Sequence, residues 1–303
     1  MTKNIAHFLL GIFLGFLPLF FDISQKKLEN FFFAQISKPY EELVFVKLPK
    51  KTKPQIQAKA VLAVRLSKAK REKIIFAKNS DEALPIASLT KLMNAIIVLE
   101  NPEKYNQDSL VKISFLAANQ KNVLGYGNLD SQIGKEMKVK DLLELMLIYS
   151  SNDAAFALSE VIGLETFVQK MNEKAKELGL SKTKFFNPHG LDPETGNSVN
   201  QSSPKDLVKL ARYILENHPL IFEISAKESF PKTKNGIWDL KLKEGYKVVG
   251  GKTGYTKRAG GCLLFVFQDE WENFYINVIL GTETEENRVQ EMQKLINYIL
   301  NYQ

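Results

Sequence analysis

Hydrophobic residues cluster over 60–66 and again over 73–77, which predicts two strands joined through a polar turn at 67–71. Beyond Pro85 the period changes. Leu92, Met93, Ile96, Ile97 and Leu99 fall at helical spacing, so a helix is expected to start near Ser88. Leu142, Leu143, Leu145, Met146 and Ile148 repeat that spacing and predict a helix over 138–149. Further helices are expected over 154–162, capped by Asp153 and ended by Gly163, then over 164–178, ended by Gly179, and from Pro204 to about 216. Strand patterns return at 246–250, 262–267 and 274–280, the last two linked by the polar turn 268–273. A closing helix over Glu285–Leu300 carries Val289, Met292, Leu295, Ile296 and Ile299 on one face. Strands, a helical insert, then strands and a helix imply an α/β (α+β) fold: an antiparallel sheet covered by helices, with a helical lobe beside it.

The first residues follow neither period. Positions 5–21 are almost unbrokenly apolar behind Lys3, as in a signal peptide or membrane anchor. No clear small-x-small cleavage site follows, and Phe31-Phe-Phe-Ala34 is a poor one, so 1–23 are read as a retained anchor. Residues 24–57 are read as a juxtamembrane tether, extended near Lys47-Leu-Pro-Lys-Lys-Thr-Lys-Pro54, and 58–303 as the folded domain.

Composition narrows the partners. With 45% hydrophobic and 25% charged residues over 303 positions, a packed core is expected. The net charge of +7 is spread along the chain. It fits attraction to anionic membrane or wall polymers, and without a dense Arg/Lys stripe no nucleic-acid partner is expected. The single cysteine, Cys262, excludes an intramolecular disulfide and lies in an apolar run that suggests core packing.

Three motifs carry chemistry. In Ser88-Leu-Thr-Lys91 the serine and lysine are three apart, on one helix face. The lysine can then take the serine's proton, provided burial and a neighbouring cation such as Lys252 lower its pKa. Ser88 falls in the first helical turn, where the dipole favours developing negative charge. Ser150-Ser-Asn152 lies between two helices; a hydroxyl there can relay a proton, and the amide can orient a substrate backbone or Lys91. Gly250-Gly-Lys252-Thr253-Gly254-Tyr255 places donors for a carboxylate between glycines at a strand end. It lacks the spacing of a phosphate-binding loop. Each motif alone is weak: Ser88 could be an N-cap, and Ser150–Asn152 a helix-breaking turn. Together they make a serine acyl-transferase that needs no catalytic histidine.

The set resembles the D-alanyl-D-alanine carboxypeptidases, the low-molecular-mass penicillin-binding proteins. Pro85-Ile-Ala-Ser-Leu-Thr-Lys91, Ser150-Ser-Asn-Asp-Ala154, Asn187-Pro-His-Gly-Leu191 and Gly251-Lys-Thr-Gly-Tyr-Thr256 with Ala259-Gly260 carry the resemblance over about 58–303. It implies the three-layer fold of serine β-lactamases and DD-peptidases. It implies attack by Ser88 on the peptide bond before the terminal D-Ala of peptidoglycan stem peptides, and β-lactam antibiotics as covalent inhibitors. Lys91 would be the base, Ser150 the proton shuttle and Asn152 an orienting group. Lys252 and Thr253 would hold the terminal carboxylate, with Arg288 assisting. The backbone N–H groups of Ser88 and Tyr255 would form the oxyanion hole. Neither a metal nor a cofactor is implied, and the site would work outside the cytoplasm.

Competing readings are weaker. His189 with Asp192 suggests a Ser-His-Asp arrangement, but Lys91 already fills the base role and the Asn-Pro-His-Gly segment reads as loop-shaping. Glu177-Leu-Gly-Leu-Ser181 mimics a β-lactamase deacylating loop, yet it ends a helix at Gly179 and lies too close behind Ser150. A DD-endopeptidase shares every motif, and an inactive wall-binding homologue would not need them. Relatives often carry a β-rich C-terminal domain and an amphipathic anchor; here the N-terminal segment is expected to replace that anchor. The tip 67–71 is unusually basic.

Overall fold

The computed structural model describes residues 25–30, 52–120, 127–228 and 236–301. It divides into two compact units, Met1–Thr52 and Lys53–Gln303. In the first, residues 25–30 form an exposed helix, α1. The apolar run 5–21 lies outside the described residues, as does segment 31–51 of the expected tether. Among the described residues no helix is long and apolar enough to cross a membrane.

In the second unit, β1 (Ala60–Leu66) and β2 (Glu72–Lys78) form the expected hairpin, and β3 (Leu84–Pro85) leads into a 3₁₀ turn, Ala87–Leu89, that continues as α2 (Thr90–Leu99). A ribbon of β4 (Leu110–Lys112) and β5 (Glu136–Lys138) flanks α3 (Phe115–Ala118). The helical lobe is completed by α4 (Val139–Ile148), α5 (Asn152–Glu160) and α6 (Leu164–Glu177). After β6 (Gln201–Ser202), which pairs with β3, come α7 (Pro204–Asn217) and α8 (Leu220–Ser225). The chain then returns through β7 (Lys247–Thr256), β8 (Gly260–Gln268), β9 (Phe274–Thr282) and α9 (Glu285–Leu300).

The main sheet is antiparallel in the order β2-β1-β9-β8-β7. Strand alternation feeds two cores. Ala60, Leu62 and Val64 of β1, with Leu264 and Val266 of β8, pack toward α2 and α4–α8. Val61 and Ala63, with Leu263, Phe265 and Phe267, pack against Met292, Leu295, Ile296 and Ile299 of α9. The result is the expected three-layer α/β fold, with α9 on one face and the helical lobe on the other. Cys262 is fully buried, and burial pushes its thiol up to about 11. It packs as the small hydrophobe its neighbours suggested.

Two local expectations are corrected. Asp153 does not cap α5; Ser151 does, accepting from Ala154 N at 3.0 Å, while Asp153 accepts Leu129 N at 2.9 Å. The helix therefore starts at Asn152 rather than 154. The strand expected over 246–250 runs on to Thr256, because Lys252, Thr253 and Gly254 pair in register with Leu264, Leu263 and Cys262 of β8. The Lys-Thr-Gly triplet lies within β7, at the sheet's edge, not beyond a strand end.

Candidate active site

The 3₁₀ turn that presents Ser88 is an unusual stretch of backbone. Ala87 holds φ 47°, a left-handed conformation that costs an alanine roughly 1–2 kcal/mol. What holds it there is close packing on two sides. A Cβ on Gly190 would lie 2.0 Å from Ala87 O, and one on Gly254 would lie 3.0 Å from Ser88 N and 3.1 Å from Ala87 Cβ. Gly190 itself has φ 90°. Only glycine at these positions lets the 185–191 loop and the edge of β7 close on the serine's turn.

We expect Gly190→Ala to lower the melting temperature by about 2–8 °C, from roughly 1–3 kcal/mol of backbone strain. The same substitution should slow acylation of Ser88 by a β-lactam. An unchanged melting curve with unchanged acylation would mean that this contact does not hold the turn.

One turn along α2, Lys91 is fully buried. Its Nζ lies 3.0 Å from Ser88 Oγ, 2.7 Å from Asn152 Oδ1 and 2.8 Å from His189 O. The last two are carbonyl oxygens, which only accept. A neutral lysine has two N–H bonds and one lone pair; with both N–H groups given to these carbonyls, the lone pair is left for the Ser88 hydroxyl. Burial, and secondarily the charge of Lys252, hold the Lys91 pKa well below its usual value.

The partners of Lys91 are fixed in turn. Ser151 Oγ donates to Gly127 O, and Ser151 N to Leu145 O at 3.1 Å, so the turn before Asn152 is tied at both sides. Ser150, half-buried, makes that turn with φ 60°. The 185–191 loop is shaped by a network of asparagines. Asn187 Oδ1 accepts Gly190 N at 2.6 Å; Asn200 Oδ1 accepts Phe186 N at 2.7 Å; Asn200 Nδ2 donates to Thr90 Oγ1 at 3.0 Å. Asn94, one turn beyond Lys91, donates to Pro188 O at 3.0 Å and Ala155 O at 3.1 Å. Asn94 and Asn200 were not singled out in the sequence. The signal for Asn94 was its polarity inside an apolar helix face; Asn200 had none.

Across the cleft, Lys252 is buried, donates to Thr253 O at 3.2 Å, and has its pKa lowered to about 7 by burial and by the nearby Arg288. Arg288, expected at the carboxylate, is itself buried behind the strand. Its Nη1 donates to Gly254 O at 3.0 Å and its Nη2 pairs with Glu285 at 2.8 Å. Thr253 is half-buried and Tyr255 exposed on the edge strand. On the other side of β7, Ser225 Oγ accepts Gly251 N at 3.0 Å, and the missing Cβ of Gly250 makes room for α8.

His189 contributes its carbonyl, not its ring. The imidazole is buried, its Nδ1 accepts Leu191 N at 3.1 Å, and burial together with the charge of Lys91 pulls its pKa to about 3. Asp192 instead ties down the β7–β8 turn, accepting Thr256 Oγ1 at 2.9 Å and Arg258 N at 3.1 Å. The Ser-His-Asp arrangement is therefore not assembled. Glu177 ends α6 at the surface, paired with Lys174 at 2.8 Å.

A family model described as D-alanyl-D-alanine carboxypeptidase matches residues 48–284. The chain is 33% identical over 236 residues to the D-alanyl-D-alanine carboxypeptidase DacF of Bacillus subtilis, an alignment covering 75% of this chain and 58% of the relative's length. It is 35% identical over 212 residues to a D-alanyl-D-alanine endopeptidase of Haemophilus influenzae, covering 66% of this chain and 68% of that protein. Among solved structures, penicillin-binding protein 5 from Haemophilus influenzae superposes with a TM-score of 0.70 at 28% identity, covering 82% of this chain and 72% of that one. Penicillin-binding protein D2 from Listeria monocytogenes, in a cefotaxime-bound form, superposes with 0.65 at 27% identity, covering 82% and 99%.

Proposed function

Since the chain belongs to the D-alanyl-D-alanine carboxypeptidase family, we propose that it is a serine DD-carboxypeptidase that removes the terminal D-Ala from peptidoglycan stem peptides. The contacts of Lys91 carry this reading. With Asn152 Oδ1 and His189 O accepting its two hydrogens, the amine lone pair takes the Ser88 proton as Oγ attacks the penultimate carbonyl carbon. The oxyanion is held by the backbone N–H groups of Ser88 and Tyr255, on turn and strand brought together at Gly254. Ser150 passes the proton to the leaving amine, D-Ala departs, and water hydrolyses the ester on Ser88. Lys252 and Thr253 hold the substrate's terminal carboxylate, while Arg288, behind Gly254, adds positive potential and fixes the strand. A β-lactam acylates the same serine.

Residues 58–303 form the catalytic domain of this reading. The apolar segment 1–23 keeps it at the outer face of the cell membrane through a tether at 24–57, a placement supported by the run 5–21 and by the location of the wall substrate.

The full chain, kept in detergent, should release D-Ala from acylated tripeptides ending in D-Ala-D-Ala and should gain the mass of one benzylpenicillin. Neither D-Ala release nor an adduct from a folded protein would overturn the reading. The likeness to an endopeptidase favours a second activity, cleavage of D-Ala cross-links. Comparing rates on a monomeric stem peptide and a cross-linked dimer separates the two, since a carboxypeptidase leaves the dimer intact.

A further inference from the structure

Lys91 is held from two sides, by α5 through Asn152 and by the 185–191 loop through the His189 carbonyl. One helical turn along α2, Asn94 repeats the arrangement. Its Nδ2 donates to Ala155 O of α5 at 3.1 Å and to Pro188 O of the loop at 3.0 Å. The spacing is matched on every element. Ala155 stands three residues after Asn152, as Asn94 stands three after Lys91, and Pro188 directly precedes His189. Each acceptor of Lys91 therefore has a close neighbour fixed by the same carboxamide.

The orientation of that carboxamide is settled by its partners. Carbonyl oxygens only accept, so the Asn94 amide nitrogen must face them. Its Oδ1 is then left buried, with no donor among the described residues. Asn94 is fully buried, as are Leu92, Met93, Ala95 and Ile96 around it. An orphaned acceptor in such surroundings is unfavourable, and an apolar side chain of similar size would not carry one. What the amide supplies in exchange is the tie between α5 and the loop. The charged and titratable groups about Lys91 are Lys252 on β7, with Arg288 behind it, and the His189 imidazole; Asp153 of α5 faces Leu129 N instead. Asn94 adds no charge to this set, so its influence on Lys91 is geometric.

We infer that Asn94 is a positioning residue for the base. By tying α5 to the 185–191 loop one turn behind Lys91, it sets the separation of the two carbonyls that take the lysine's hydrogens. The amine's lone pair is thereby kept on Ser88 and water is kept off the amine. The base role of Lys91 rests on the function proposed above; the tie itself does not.

The full chain in detergent is compared with Asn94→Leu, which removes both donors, and Asn94→Thr, which keeps one. Acylation by benzylpenicillin is followed by intact mass across a range of pH, and amide hydrogen exchange is followed over 185–191. Asn94→Leu should slow acylation at neutral pH by about 10–100-fold, the scale on which a displacement of about 1 Å acts. It should also move the acid limb of the rate to higher pH. Burial is the main cause of the low Lys91 pKa, and a looser cage lets that pKa climb back toward the ordinary lysine value. Exchange over 185–191 should quicken severalfold, and Asn94→Thr should fall between the parent and Asn94→Leu in all three measurements. A merely structural Asn94 would lower the melting temperature and the amount of folded enzyme while leaving the acid limb in place. That result, or parent-like acylation in folded Asn94→Leu, would overturn the inference. If Asn94→Leu does not fold, Asn94→Thr decides by the same criteria. If the parent itself gains no adduct, the proposed function falls and exchange decides the tie alone: an unchanged rate over 185–191 in the variants would overturn it.

Discussion

Replacing Ser88 with alanine is expected to abolish the benzylpenicillin adduct and to lower D-Ala release by about 10⁴-fold or more, in line with removal of other enzymes' serine nucleophiles. Two neighbouring hydroxyls are held by other partners. Ser151 Oγ is engaged with Gly127 O and Ala154 N, and Thr90 Oγ1 accepts from Asn200. The fold should not suffer. Ser88 is half-buried, its Oγ meets Lys91 rather than the backbone of the turn, and the left-handed residue beside it is Ala87. The melting temperature of Ser88→Ala should therefore stay within a few degrees of the parent. Intact mass after incubation with benzylpenicillin decides the matter: an adduct that persists in the alanine variant places the nucleophile elsewhere and removes the basis of the mechanism.

The parts of this site that could be read along the chain are those whose partners are close in sequence. Ser88 and Lys91 meet because three residues make nearly one helical turn, and the 3.0 Å contact follows from that spacing. The remaining contacts of Lys91 join positions 61 and 98 residues away, Asn152 and His189. Motif resemblance brought Asn152 to the site, but the backbone of His189 had no side-chain signal; its imidazole pointed instead to a triad that does not form. The left-handed Ala87 was equally hidden, since alanine advertises nothing and the conformation is imposed by Gly190 and Gly254. The sheet-and-helix order was legible because alternation and helical periods are strong over long segments. Glycine was misleading at β7: in a strand edge that the Ser88 turn and a helix both approach, glycines mark close contact, not a strand end. The cap of α5 went to Ser151 because Asp153, in the helix's first turn, was claimed by the 127–129 segment.

Lys91→Met, which keeps length but removes the amine, should lower the rate of Ser88 acylation by about 10²–10⁴-fold, the usual contribution of a positioned base. Its pH dependence is the sharper test. Lys91 works as a base when neutral, so activity is absent below its pKa and appears as pH rises through it. That limb lies well below the ordinary lysine range because Lys91 is buried and faces Lys252. Lys252 works as a cation, so carboxylate binding is present below its pKa, about 7, and is lost as pH rises through it. The kcat/KM profile of the free enzyme should therefore be a bell, and its two apparent pKa values belong to the coupled pair of lysines. Lys252→Gln should erase the alkaline limb. It should also move the acid limb to higher pH, because Lys91 would lose the neighbouring charge that helps to hold it neutral. A purely structural Lys91 predicts otherwise: Lys91→Met would lose activity only in proportion to lost folding, and Lys252→Gln would leave the acid limb where it was. Either of those results would take the base role away from Lys91.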